Sequence, residues 1–478
     1  MTTRRELLKL SVVAGAGALL PKAVAAQAAL PLLSKRPEQT QRKFRSEAVD
    51  AMVIHVKAQI DDPQLAWMFE NCFPNTLDTT VHFRMVGGAP DTFVITGDID
   101  AMWLRDSSAQ VWPYLPLAKE DASLRRMIEG LIRRQAHCIL LDPYANAFLP
   151  DTSSKPLSWS ERDKTEHKPG VGERKWEVDS LCYPIRLAHG YWKSTGDTTP
   201  FNSQWQSAMS LVVRTFRQQQ RKHEPGPYRF QRGTPNPTET LALDGFGNPA
   251  RPVGMIFSMF RPSDDACIFP LFIPANLFAV TSLRQLSELA ATVLHDETLA
   301  RDSGALSDEI SAAVHQYGCM SGSQSEPVWA YEVDGYGSQL FMDDANAPGL
   351  LSLPYLGCCK IGDPMYQRTR TRILSAANPY FFEGKGASGI GGPHEGLDMI
   401  WPMSIIMRAL TSTDDSEIRQ SLRWLKTTTA GTGFIHESFQ KDDPRHYTRA
   451  WFAWANTLFG ELILNLAAHK PRLLRQTL

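Results

Sequence analysis

Phe269-Pro270-Leu271-Phe272-Ile273-Pro274-Ala275-Asn276-Leu277-Phe278-Ala279-Val280 is apolar on every face, however it is wound. Residues 120–141 read differently: Leu124, Met127, Ile128, Leu131 and Ile132 recur at three- and four-residue steps with Arg and Glu between them. That spacing places one apolar stripe on an otherwise polar helix. A segment that is apolar all round belongs inside, and a one-sided helix belongs around it, so the pair implies a two-layer ring of inner and outer helices. Pro270 and Pro274 imply that the inner segment starts irregularly or that one proline sits in its first turn.

Working outward, the helical spacing returns at Val178-Leu181-Cys182-Ile185, at Trp205-Ala208-Leu211-Val212, over 277–294, over 400–410, at Ile418-Leu422-Leu425 and over 450–466. There are roughly a dozen such segments and almost no sustained period-two alternation, so the fold reads as all-α. A solenoid would show a repeat of about 34 to 47 residues, and none stands out. No low-complexity linker divides the chain, and residues 29–478 read as a single domain. Residues 1–28 read as an export signal: Arg4-Arg5 precede an Ala/Gly-rich apolar run over 10–20 and then small residues, the pattern of a twin-arginine signal peptide. The expectation is a periplasmic or secreted protein delivered by the twin-arginine export machinery. The apolar run is shorter than the roughly 20 residues a bilayer requires, so stable membrane insertion is not expected.

Fifty Lys and Arg against 51 Asp and Glu, mixed along the chain, give a net charge of −1. No basic face argues for nucleic acid, and a neutral ligand fits better. Seven cysteines (Cys72, Cys138, Cys182, Cys267, Cys319, Cys358 and Cys359) are scattered without the spacing of a zinc site. Buried free thiols are the default reading, with one or two disulfides as the alternative.

Long loops rich in Gly, Pro, Asp and aromatics on a helical scaffold usually build a site. Thr96-Gly97-Asp98-Ile99-Asp100-Ala101-Met102-Trp103-Leu104-Arg105-Asp106-Ser107 gathers three carboxylates, a guanidinium and an indole. Such groups suit a sugar, whose hydroxyl edges take charged partners and whose C–H face takes an aromatic ring. Capping of a helix by Asp98 or Asp106, with Arg105 paired to a neighbour, is the structural alternative. Phe341-Met342-Asp343-Asp344-Ala345-Asn346-Ala347-Pro348 repeats the composition, and its spacing is not that of a calcium loop. Gly389-Ile390-Gly391-Gly392-Pro393-His394-Glu395-Gly396 either presents His394 to a ligand or is a tight connection with an exposed His.

Glycosidic cleavage needs one protonated and one ionised carboxyl group. Arg261-Pro262-Ser263-Asp264-Asp265-Ala266 offers two adjacent acids, one of which is expected to cap a helix starting at Cys267. Gly433-Phe434-Ile435-His436-Glu437-Ser438-Phe439 offers a Glu among aromatics.

Together the motifs Thr96 to Ser107, Phe260-Arg261-Pro262-Ser263-Asp264-Asp265-Ala266, Phe341 to Pro348 and His436-Glu437-Ser438-Phe439 resemble glycoside hydrolase family 125, and the resemblance runs from about Ala48 to about Ala468. It implies an (α/α)6 barrel and an exo-acting α-1,6-mannosidase that inverts the anomeric carbon and uses neither a catalytic metal nor a cofactor. It further implies that the general base is Glu437 and the general acid Asp264, with Asp265 as the alternative. Asp98, Asp100, Trp103, Arg105, Asp106, Arg261, Asp343, Asp344, Asn346, His394 and His436 are the expected contacts to an α-mannoside glycan. The long segments 141–174 and 226–265 are the material for a wall closing one end of the cleft.

Overall fold

The helices of this chain start in two different ways, and the difference sorts them into layers. The computed structural model describes residues 32–320 and 326–478; the twin-arginine segment lies outside the described residues. Among them are thirteen α-helices: α1 (Glu47–Lys57), α2 (Pro63–Cys72), α3 (Asn75–Thr79), α4 (Leu104–Val111), α5 (Ala122–Leu141), α6 (Val178–Thr195), α7 (Ser203–Gln219), α8 (Ile273–Leu289), α9 (Glu297–Tyr317), α10 (Pro364–Ile373), α11 (Pro402–Leu410), α12 (Asp415–Thr427) and α13 (Ala453–His469). Helices α1, α2, α5, α7, α9, α10 and α12 each begin with a Ser, Asp or Asn side chain accepting from a first-turn amide: Ser46, Asp62, Asp121, Asn202, Asp296, Asp363 and Asp414. Such a cap satisfies one of the orphan N–H groups of a helix start.

Helices α4, α6, α8, α11 and α13 begin instead at Trp103, Glu177, Phe272, Trp401 and Phe452, with no side-chain cap. Their starts are buried, and neighbouring loops meet some of the amides: Leu104 N–H donates to the Asn146 carbonyl at 3.1 Å, Val178 N–H to Ser258 Oγ at 3.1 Å and Ile273 N–H to the Tyr331 carbonyl at 2.9 Å.

These uncapped helices form the inner ring. α4 lies against α6 and α13, α6 against α8, and α11 against α13. A run of turns over 349–358 takes the sixth inner place: Tyr183 of α6 donates to the Ala347 carbonyl, Tyr355 to Glu461 of α13, and Tyr366 of α10 to the Leu351 carbonyl. α2, α5, α7, α9, α10 and α12 lie outside, each followed along the chain by its inner partner. The outer ring closes where Lys426 of α12 pairs with Asp62 at 2.8 Å, the residue that caps α2. This is an (α/α)6 barrel. Residues 34–478 form one compact unit.

The inner stretch read from the sequence is buried, and Pro274 sits in the first turn of α8. Its centre is filled by rings from three inner helices, with Tyr183 5.1 Å from Phe278 and 6.1 Å from Trp454, edge to face.

Three readings are corrected. An antiparallel hairpin, Val81–Val86 with Ala89–Val94, lies on α5; its first strand is mostly exposed, which hides the alternation that would reveal it. No helix starts at Cys267, and neither Asp264 nor Asp265 caps one, because the chain stays non-helical until Leu271–Phe272 and α8 starts at Ile273. The helical reading of 277–294 overruns α8, which gives way at Ala290–Leu294 to a π-helical turn closed by His295 in the left-handed region. All seven cysteines are free thiols. No helix of the described residues is long and apolar enough to cross a membrane.

Candidate active site

The uncapped starts of α4, α11 and α13 and the loop before α8 open onto one cavity. Five of the six inner elements, or the loops before them, contribute to the lining, α6 reaching it only through Arg105: Trp103, Arg105 and Asp106 from α4, Asp264 from the loop before α8, Asn346 before the run of turns, His394 and Trp401 before α11, and Glu437, Arg449, Phe452 and Trp454 around α13. Helix N-termini carry partial positive charge, so this end of the barrel favours negative groups.

Asp264 is held at φ 68°, a left-handed conformation that non-glycine residues rarely adopt. Its amide donates to the Arg261 carbonyl at 2.9 Å, its own carbonyl accepts from Lys175 Nζ at 2.8 Å, and Oδ1 accepts from Asn146 Nδ2 at 3.1 Å. Asp265 is fully buried and is not among the residues lining the cavity. One of its oxygens accepts from Ser263 at 3.4 Å; the other lies 3.9 Å from His394 Nδ1 and has no hydrogen-bond partner among the described residues. Burial alone would lower the His394 pKa, but the Asp265 and Asp264 carboxylates outweigh it and raise it to about 9. His394 is therefore a cation at the cavity wall at neutral pH.

Glu437 precedes α13, three inner positions around the rim from the Asp264 loop, with α6 and α4 between them. Its Oε2 accepts from Thr448 Oγ1 and from Arg449 Nε, each at 3.0 Å. Arg449 also pairs with Asp98. Glu395 faces Glu437, and burial first, then the Glu437 charge, pushes the Glu395 carboxyl up to about 7. Two carboxyls in contact disfavour double ionisation.

Arg105 is buried among acids, with Nη1 2.6 Å from Glu177 and 3.1 Å from Asp179, and Nε 3.7 Å from Asp106. Burial raises the Asp106 carboxyl to about 6; Arg105 opposes the rise and the Asp264 charge adds to it. Glu177 is raised well above its usual range, by burial first and by the Asp264 charge, against the pull of Arg105.

Trp103, Arg105, Asp106, Asn346, His394, Asp264 and Glu437 thus meet at one place. Others of the expected contacts serve the frame. Arg261 is spent on Glu332 at 2.6 Å, which also accepts from the amides of Ile268 and Phe269. Asp343, fully buried and raised by burial to about 8, accepts from the amides of Leu350 and Leu351 and so starts the sixth inner element. Asp344 holds Asn346 through its amide and its side chain, at 3.0 and 3.2 Å. His436 stacks on Tyr447 at 3.9 Å and its Nδ1 lies 2.8 Å from the Arg449 carbonyl, bracing the segment that carries Arg449. Asp98 and Asp100 are exposed, and Asp98 reaches the site only through Arg449.

Sequence reading missed Asn146, Glu177, Asp179, Glu395 and Arg449. Glu177-Val178-Asp179 carried a usable signal, because it opens a helix that the spacing had found. The two long segments expected to build a wall clasp each other: Lys164 pairs with Gln231 along the backbone, and Arg232 binds Asp163 at 2.6 Å. Among the described residues no group of three or more His, Cys, Asp or Glu is placed to hold a metal ion.

The family model described as metal-independent alpha-mannosidase (GH125) matches residues 62–464. The Meiotically up-regulated gene 157 protein of Schizosaccharomyces pombe (strain 972 / ATCC 24843) is 44% identical over 463 residues, covering 94% of this chain and 91% of that protein. A Streptococcus pneumoniae metal-independent alpha mannosidase, solved as a non-productive substrate complex with alpha-1,6-mannobiose, superposes with a TM-score of 0.84 at 42% identity, covering 90% of this chain and all of the other. A bacterial glucoamylase complexed with acarbose shares the fold alone, at a TM-score of 0.51 and 12% identity over 90% of this chain and 58% of its own. The chain belongs to the metal-independent α-mannosidases of glycoside hydrolase family 125.

Proposed function

We propose that this α-mannosidase removes terminal α-1,6-linked mannose with inversion, Asp264 acting as the acid and Glu437 as the base. The observation that carries the reading is that both carboxyls line one cavity from separate loops, with the starts of α4 and α6 between them on the rim. Asp264 rather than its neighbour is chosen because Asp265 is fully buried and turned to His394. The α-1,6 linkage is supported by the disaccharide in the Streptococcus pneumoniae complex.

In this reading Asp264 gives its proton to the glycosidic oxygen as the C1–O bond breaks, the bonding pair leaving with that oxygen. Water attacks C1 from the opposite face and loses its proton to Glu437. Thr448 and Arg449 hold one Glu437 oxygen, and the other is the one assigned to that proton. Trp103, Trp401 and Trp454 offer apolar faces to the sugar ring, and Arg105, His394 and Asn346 offer donors to its hydroxyls.

Proton NMR of the first product from α-1,6-mannobiose should show β-mannose. Glu437→Gln should lower kcat by about 10²- to 10⁴-fold on every substrate. Asp264→Asn should be severe on mannobiose and mild on a nitrophenyl mannoside, whose leaving group departs without a proton. Initial release of α-mannose would overturn inversion, equal cleavage of α-1,2-, α-1,3- and α-1,6-mannobiose would overturn the linkage, and an Asp264→Asn effect independent of the leaving group would overturn the acid.

A further inference from the structure

Asn146 is fully buried, and its main-chain carbonyl and both polar atoms of its side chain are hydrogen-bonded. Its main-chain carbonyl accepts from the Leu104 amide at 3.1 Å, at the start of α4, and its side-chain oxygen accepts from the Lys175 amide at 3.1 Å. The amide nitrogen donates one N–H to Glu173 Oε2 at 3.0 Å and the other to Asp264 Oδ1 at 3.1 Å. Those partners leave no freedom to flip the amide, because the Lys175 N–H demands an acceptor and two carboxylate oxygens demand donors. Glu173 is itself anchored, by Arg232 at 2.8 Å and Trp159 at 3.2 Å. The flanking chain is braced by short antiparallel pairings of Ala147 with Trp103 on one side and with Glu173 on the other.

An N–H aimed at one carboxyl oxygen makes that oxygen an acceptor in both protonation states. We infer that Asn146 is a positioning residue that reserves Asp264 Oδ1 as the acceptor and so confines the transferable proton to Oδ2. The inference rests on the reading of Asp264 as the acid. When Oδ2 gives its proton to the departing oxygen, the new carboxylate keeps the Asn146 hydrogen bond, which strengthens as charge develops. Asn146 therefore stabilises the product form of the acid as well as orienting it. Lys175, whose ammonium grips the Asp264 carbonyl at 2.8 Å, holds the left-handed backbone that brings the carboxyl to Asn146.

The test uses the full-length enzyme, α-1,6-mannobiose and a nitrophenyl α-mannoside. Asn146→Ala deletes the donor. Asn146→Asp keeps shape and volume, retains the acceptor for Lys175, and turns an oxygen toward Asp264 Oδ1, which draws the proton to the wrong side. Both variants should lose roughly ten- to hundredfold in kcat on mannobiose, the factor expected for one hydrogen bond to an ionised group, and much less on the nitrophenyl substrate. In Asn146→Ala the basic limb of the mannobiose pH profile should move to higher pH, since removing a donor from the ionised form weakens the acid. A structural role alone would lower both substrates in proportion and leave the limb in place, and that result in the folded Asn146→Asp protein would overturn the inference even if Asn146→Ala did not fold. Asp264→Asn, assayed alongside, separates the two failures: if it discriminates between leaving groups and the Asn146 variants do not, the positioning role falls and the acid stands; if it does not discriminate, the acid itself is misassigned.

Discussion

α4 and α6 run side by side from the mouth of the barrel to its far end, and each end buries an arginine. At the mouth, Arg105 sits among Glu177, Asp179 and Asp106. At the far end, Arg186 lies 3.5 Å from the ring centre of Trp112 and 4.8 Å from that of Tyr355, while Tyr355 donates to Glu461 at 2.8 Å. The mouth contains three carboxylates around one guanidinium and leaves a Glu177 oxygen, an Asp179 oxygen and Arg105 Nε without hydrogen-bond partners among the described residues. At the far end the guanidinium lies on aromatic faces beside a close helix contact, Gly190 lying where an added Cβ would be 2.6 Å from Trp112. Incomplete satisfaction of buried polar groups is what a site that awaits hydroxyls requires, whereas a structural plug needs full occupancy. The difference teaches that one ring of helices can be packed for stability at one end and left chemically open at the other.

The largest effect should come from removing the mouth arginine. Arg105→Met leaves three buried acids without their cation, and breaking a buried ion cluster from one side costs roughly 3–5 kcal/mol. Denaturant unfolding should show that loss, and activity should fall with it because Arg105 lines the cavity. If stability is unchanged, the acids are protonated in the folded state and the mouth is not the charged centre described here.

How far the mouth could be read from sequence follows from how its residues are distributed. Trp103, Arg105, Asp106, Asp264, His394 and Glu437 stand in runs whose Gly, Pro and aromatic content is out of keeping with plain helix connections, so composition betrays them. Asn146 and Arg449 are single polar residues in unremarkable surroundings, and only the fold brings them to Asp264 and Glu437. Glu395 was in plain view beside His394 but gains meaning only when the α13 loop sets Glu437 against it. The layers were legible from α5 and the buried stretch of α8. Several outer helices were overlooked although Asp62-Pro63, Asp296-Glu297 and Asp363-Pro364 are readable starts, an acid cap followed by a proline or a further acid. The 349–358 turns replace a helix altogether, and no helical spacing exists there to read.

At the far end a smaller effect is expected. Arg186→Met keeps the apolar stem and removes the cation from between two rings, where a desolvated cation–π contact is worth about 2 kcal/mol. Unfolding should shift by about that amount while kcat and KM for mannobiose stay unchanged. A fall in kcat at native stability would mean that the two ends communicate, and the contrast between a chemical end and a structural end would fail.

The smallest effect tests whether the openness of the mouth is electrostatic at all. Glu395 is raised from the usual 4.5 to about 7, burial being the larger cause and Glu437 the next, with His394 and Arg449 opposing. Because the folded protein holds this proton more tightly than the unfolded chain does, the stabilising contribution is fully present below about pH 4.5 and is lost as pH rises through about 7. Glu395→Gln cannot ionise and its amide can donate to Glu437, so the variant should match the parent near pH 4.5 and exceed it at pH 8. Solvent reaches part of this side chain, and screening should hold the gain to roughly 0.5 kcal/mol. Urea midpoints of the two proteins at both pH values measure it as a difference of differences, which cancels every other titrating group that the substitution leaves alone. An equal offset at both pH values would mean that Glu395 and Glu437 do not repel each other in the folded protein, and the mouth would then owe its unsatisfied groups to packing rather than to crowded charge.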